Sequence, residues 1–130
     1  MNAAVRYYSR SGNTKALAEA IAAAAGVPAV SVDEAGAALD GAVDVLFIGG
    51  ALYAYGLDFR LKEYLKTLKT AEVKKAVVFS TSWLSKHAVE LIKKGLAEAG
   101  IPAEAAYLYC PGRPDAGQLE AAAVFARRYL

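Results

Sequence analysis

The sequence predicts an α/β protein: a three-layer α/β/α sandwich built on a five-stranded parallel sheet. Strand-like apolar segments alternate with amphipathic helical ones along nearly the whole chain. The clearest strand has the continuous apolar centre Val77-Val78-Phe79, as expected where both faces are covered. Eleven glycines and many alanines beside Val, Ile, Leu and Tyr suit helices packed closely on a sheet. Strands that alternate with helices stay parallel by crossing over right-handedly, which puts helices on both faces.

The elements follow in order. Ala3–Tyr8 reads as a strand, and Asn13–Ala25 as a helix with Leu17, Ala18, Ile21 and Ala25 along one face. Ala29–Val32 is a second strand, Asp33–Leu39 a short helix or turn, and Asp44–Gly49 a third strand. Asp58–Leu68 repeats Phe59, Leu61, Leu65 and Leu68 with lysines between, predicting a helix before the strand Lys75–Thr81. Lys86–Ala99 is a helix stopped by Gly100, Glu104–Tyr109 a fifth strand, and Gly117–Leu130 a closing helix. The expectation is five strands and about five helices in a single domain spanning 1–130, with no repeat, linker or low-complexity tract.

Composition narrows the function classes. At 56% hydrophobic residues and a mean hydropathy of +0.26, the chain has the makings of a substantial core. The first residues lack a secretory pattern, so a cytoplasmic location is expected. The longest uncharged apolar run, Val45 to Leu57, falls short of the roughly 20 residues of a membrane-spanning helix. One cysteine, Cys110, and one histidine, His87, give no internal disulfide and no convincing metal centre. The net charge is only +2, and Lys62, Lys66, Lys69, Lys93 and Lys94 read as solvated helix faces rather than a nucleic-acid surface.

In a parallel α/β sheet, ligands bind beyond the carboxyl ends of the strands, and there the chemistry-bearing residues gather. After the first strand comes Ser9-Arg10-Ser11-Gly12-Asn13-Thr14, directly before a helix. Gly12 permits an unusual backbone conformation, Ser9, Ser11 and Thr14 supply hydroxyls, and a helix start offers free N–H groups to an anion such as a phosphate monoester. The same residues also suit a plain helix cap by Ser11 with a tight Gly12-Asn13 turn. The spacing of a nucleoside-triphosphate loop and the dinucleotide fingerprint are both absent.

This loop resembles the phosphate-binding signature of the flavodoxin family: Ser or Thr, a variable residue, Ser or Thr, then Gly-Asn-Thr after the first strand. The resemblance implies flavin mononucleotide (FMN) as cofactor, strand order 2-1-3-4-5, and an electron-transfer role with a redox partner protein or a small-molecule oxidant or reductant. Ala51-Leu52-Tyr53-Ala54-Tyr55-Gly56 resembles the family's flavin-flanking loop, with Ala51 where many members carry proline. Tyr53 and Tyr55 are the candidates to pack on a flat ring, or else to fill core. A glycine here, Gly49, Gly50 or Gly56, is expected to let a carbonyl turn toward the reduced ring. Ser80-Thr81-Ser82-Trp83 resembles the second flavin-contacting loop, with Trp83 where glycine is common, so that it either stacks on the ring or plugs the substrate face.

His87 at a helix start reads as solvated, and Cys110, without a phosphatase-type spacing to an arginine, as a small buried residue. Typical carriers of this family are strongly acidic, whereas this chain has a pI near 8.6. Two other functions therefore stand beside electron transfer. One is an FMN-dependent oxidoreductase acting on a quinone- or porphyrinogen-like substrate, and the other a flavin-free interaction module. The oligomeric state is not encoded in any motif.

Overall fold

The computed structural model describes residues 2–130 apart from 55 and 84. The predicted strands form one parallel sheet. Its members are β1 (Ala3–Tyr7), β2 (Ala29–Ser31), β3 (Val43–Gly50), β6 (Val73–Ser80) and β7 (Ala103–Tyr109). They lie in the order β2-β1-β3-β6-β7, all parallel, which is the 2-1-3-4-5 order expected of the core strands. The central strands β3 and β6 are buried on both faces, which accounts for their uninterrupted apolar runs.

Alternate residues of each strand point to opposite faces, so the sheet separates two cores. On one face Leu46, Ile48 and Val78 pack against Leu61, Tyr64 and Leu65 of α2 (Phe59–Thr67) and Val89, Ile92 and Leu96 of α3 (His87–Glu98). On the other, Val5, Phe47, Val77 and Phe79 meet Leu17, Ala18 and Ile21 of α1 (Asn13–Ala25) and Ala122 and Phe125 of α4 (Ala116–Arg127). Small residues on α1 and α4 let those helices approach the sheet and each other closely.

The helical count differs from the expectation of about five. Among the described residues there are four α-helices, and Asp33–Leu39 contributes a 3₁₀ turn over Ala35–Ala37. In α2 the apolar stripe runs through Tyr64 instead of Phe59, whose ring is 63% exposed at the helix start. A further pair of short strands, β4 (Leu52–Tyr53) and β5 (Gly56–Leu57), pairs antiparallel beyond the end of β3. Two-residue strands carry no readable periodicity, and here they convert the expected loop into a hairpin at the carboxyl edge.

Arg6, on β1, is buried, and no carboxylate among the described residues pairs with it. Its Nε donates to the Ala37 carbonyl at 2.7 Å and Nη1 to the Val5 carbonyl at 3.0 Å. The Tyr64 hydroxyl also donates to the Ala37 carbonyl, at 2.7 Å. One carbonyl of the 3₁₀ turn thus ties β1 to α2 beneath the carboxyl edge.

Candidate functional site

Four segments converge beyond the carboxyl ends of the strands: the β1–α1 loop, the β4–β5 hairpin, and the loops after β6 and β7. The β1–α1 loop turns at Gly12, whose φ of +92° lies in the region that favours glycine. Its N–H donates to Ser9 Oγ at 2.9 Å, which folds the loop back on itself. Gly12 is itself the N-cap residue of α1, and among the described residues no side chain caps the helix. Ser11 therefore does not perform the plain capping role that its sequence position allows. The first-turn N–H groups carry the positive end of the helix dipole and are open to an anion, with Ser9, Ser11 and Asn13 around them.

Thr14 faces inward. Its hydroxyl shares a hydrogen bond of 2.6 Å with the Thr81 hydroxyl, joining the β1–α1 loop to the end of β6 inside the protein. The neighbouring hydroxyls also bind loops together. Ser80 Oγ lies 3.2 Å from Ser82 Oγ, and Ser82 Oγ accepts the Leu52 N–H at 2.8 Å. The Tyr109 hydroxyl donates to the Ser82 carbonyl at 2.7 Å, and the Gly112 N–H to the Thr81 carbonyl at 3.0 Å. Ser80, Thr81 and Ser82 are all buried, so these hydroxyls hold the rim in shape.

The hairpin supplies Tyr53. Its hydroxyl accepts the Arg10 N–H at 3.0 Å, and the Arg10 guanidinium lies 4.0 Å over its ring. Burial raises the Tyr53 phenol pKa, with Arg10 acting in the opposite direction. Ala54 follows with φ +50°, a left-handed conformation uncommon outside glycine, at the tip of the hairpin. Ala51, Leu52 and Gly56 complete this wall, half-buried. Tyr55 lies outside the described residues.

Asp58 organises this corner. Its side chain is 1% exposed and caps α2 through the Arg60 N–H at 2.8 Å. Oδ2 accepts from Arg10 Nη2 at 2.7 Å and lies 3.3 Å from Arg60 Nη1, which also donates to the Tyr8 hydroxyl at 2.8 Å. Burial alone would raise the Asp58 pKa. The Arg10 hydrogen bond, the Arg60 N–H and the two guanidinium charges outweigh it and hold the carboxyl below its usual value. The bond to Asp58 raises the Arg10 pKa in turn. Nothing local in the sequence marks this pairing, because Arg10 and Asp58 are 48 residues apart.

Across the site, the Trp83 ring is 69% exposed and rests on Gly112, whose φ is +77°. A Cβ at Gly112 would lie 3.1 Å from Trp83 Cε3, so the glycine lets the two loops touch. Trp83, Ser85, Lys86, Tyr109 and Pro111 bound a cleft of about 380 Å³. A larger cavity of about 490 Å³ lies on the flank between α2 and α3 and reaches Leu57 at the end of the hairpin. His87 is exposed, with Nδ1 3.1 Å from Glu90 Oε2, and Cys110 is buried with its thiol pKa raised by that burial. Among the described residues no cluster of His, Cys, Asp or Glu can hold a metal ion, and no helix is long and apolar enough to cross a membrane.

Comparison with known proteins agrees with this geometry. Solved structures with the same fold include a flavodoxin from the domain Archaea, at 24% identity and a TM-score of 0.87, with 99% of this chain and 96% of that one aligned. Flavodoxin 1 from Bacillus cereus aligns at 18% identity and a TM-score of 0.80, over 99% and 97% of the two chains. Rubredoxin:oxygen oxidoreductase from Desulfovibrio gigas aligns at 13% identity and 0.79, over 98% of this chain but 34% of the larger one. No curated protein matches the sequence significantly. The pattern of a flavodoxin domain matches residues 4–119, spanning the β1–α1 loop, the hairpin and the rims after β6 and β7, and the chain therefore belongs to the flavodoxin family.

Proposed function

We propose that the chain acts as a single domain that binds FMN at this edge and carries electrons to or from a redox partner. The observation that supports this best is the uncapped start of α1 beside Ser9, Ser11 and Gly12, a cradle suited to a phosphate monoester. On this reading the phosphate is held by the N–H groups of the first turn and by the Ser9 and Ser11 hydroxyls, with Asn13 beside them and Thr14 fixing the loop from below. Tyr53 and Trp83 flank the ring, and backbone groups of Ala51, Leu52, Ala54 and Gly56 face its polar edge. FMN, when bound, supplies the electron chemistry. The protein's part is to orient the ring, restrict water and set the local charge.

Protein purified in the presence of FMN should keep a flavin spectrum through gel filtration. Once reduced, it should pass electrons to an acceptor protein without steadily consuming a small substrate. Loss of all flavin on the column would overturn the reading. The cleft beside Trp83 favours a second one, an FMN-dependent oxidoreductase, because it offers a small aromatic substrate a place at the rim. Sustained turnover of a quinone or porphyrinogen would select it.

A further inference from the structure

The corner where Arg10, Tyr53, Asp58 and Arg60 meet contains two guanidiniums and one carboxylate. Asp58 is the carboxylate bonded to both arginines, and its side chain is sealed from solvent, so one positive charge in this cluster is left unbalanced. That charge is fixed in place. The Arg10 guanidinium is anchored by Asp58 at 2.7 Å and lies 4.0 Å over the Tyr53 ring, and its own N–H donates to the Tyr53 hydroxyl. The other carboxylates near the carboxyl edge do not cancel it. Glu90 pairs with His87, Asp115 caps α4, and among the described residues no carboxylate besides Asp58 lies within ion-pair distance of Arg10.

We propose that Arg10 is a positioning residue for charge, holding a permanent cation against the tyrosine that flanks the cofactor and thereby making the bound flavin easier to reduce. The proposal rests on the FMN reading above. Two-electron reduction of an oxidised flavin, with uptake of one proton from solvent, adds one net negative charge to the ring. The electrons come from the redox partner, or from dithionite in the test. A fixed cation nearby stabilises that added charge, more strongly where water is restricted. This local arrangement is opposite in sign to the acidic surroundings typical of carriers in this family, and it accords with a slightly basic chain.

The test compares wild type, Arg10→Gln and Arg10→Lys, each saturated with FMN, by measuring the two-electron midpoint potential at pH 7 in low and high salt. Arg10→Gln should shift the potential to more negative values, by an amount that shrinks as salt screens the charge in the wild type. Arg10→Lys should retain most of the wild-type potential. One common potential for three FMN-loaded proteins would overturn the role of Arg10 and leave FMN binding standing. Equal shifts in Arg10→Gln and Arg10→Lys would also overturn it, since a purely structural latch depends on the fork of the guanidinium and not on its charge. A wild-type protein that takes up no FMN overturns both readings.

Discussion

Removing Asp58 tests how the site corner is held, and two substitutions separate its two roles. Asp58→Asn keeps an oxygen to accept the Arg60 N–H but removes the charge, whereas Asp58→Ala removes both. Loss of the cap costs about 1 kcal/mol. The carboxylate is buried, but its partners are 53% and 40% exposed and can rehydrate when released. The two ion pairs are therefore worth about 1 kcal/mol each, near the exposed limit, rather than the 3–5 kcal/mol of a fully buried pair. Asp58→Ala should then lose about 3 kcal/mol and Asp58→Asn about 2 kcal/mol. Urea unfolding followed by far-UV circular dichroism is the suitable assay, because the single Trp83 is too exposed to report cleanly on the core. The pH dependence adds a second check. The folded-state pKa of Asp58 is depressed, so its contribution is complete above the unfolded value of about 3.9 and is lost as pH falls through the folded one. The gap between wild type and Asp58→Asn should hold at neutral pH and close in acid. Equal stability of all three proteins at neutral pH, or a gap unchanged in acid, would refute the argument.

Three other outcomes follow from the same geometry. At Gly49 a Cβ would run into the ring of Phe79, which is fully buried, so Gly49→Ala should cost about 2–3 kcal/mol by overpacking; an unchanged urea midpoint would contradict that packing. A Cβ at Gly12 meets nothing within 4 Å, so Gly12→Ala carries only the strain of φ +92°, about 1–2 kcal/mol, and should weaken FMN binding roughly tenfold while the fold persists. Titration of the variant checks this, and wild-type affinity would show that the loop does not need this turn. The Cys110 thiol, buried and raised in pKa, should react slowly with a disulfide reagent at pH 7 and far faster in urea; rapid labelling of the native protein would place it at the surface.

Much of the fold was legible because its signals are local. The helix Asn13–Ala25 has the expected bounds, since Gly12 and Gly26 mark its ends. Strand β6 starts earlier than expected, at Val73, because Lys74 and Lys75 at its entrance hide an alternation that settles into apolar residues only from Ala76. The closing helix ends at Arg127, short of Leu130, and starts at Ala116 through a capping box between Asp115 and Gln118. The turn that opens α1 was readable because a glycine directly before an amphipathic run marks a change of backbone conformation, here Gly12 at φ +92°. The Asp58 cluster, the burial of Arg6 and the Thr14–Thr81 bond were not, because each joins residues brought together only by the topology. The serines after β6 look in sequence like ligand donors, yet Ser82 ties its loop to the hairpin at Leu52 and Ser80 bonds to Ser82 within the same loop.

The central claim is that the start of α1 holds the phosphate of FMN. The most direct measurement is a titration of flavin-free protein with FMN and with riboflavin, which lacks the phosphate, following flavin fluorescence. Two or more charge-assisted hydrogen bonds from the loop should amount to at least about 2.7 kcal/mol, so FMN should bind about 100-fold or more tightly than riboflavin. Equal affinity for the two, or no binding of either, would contradict the account.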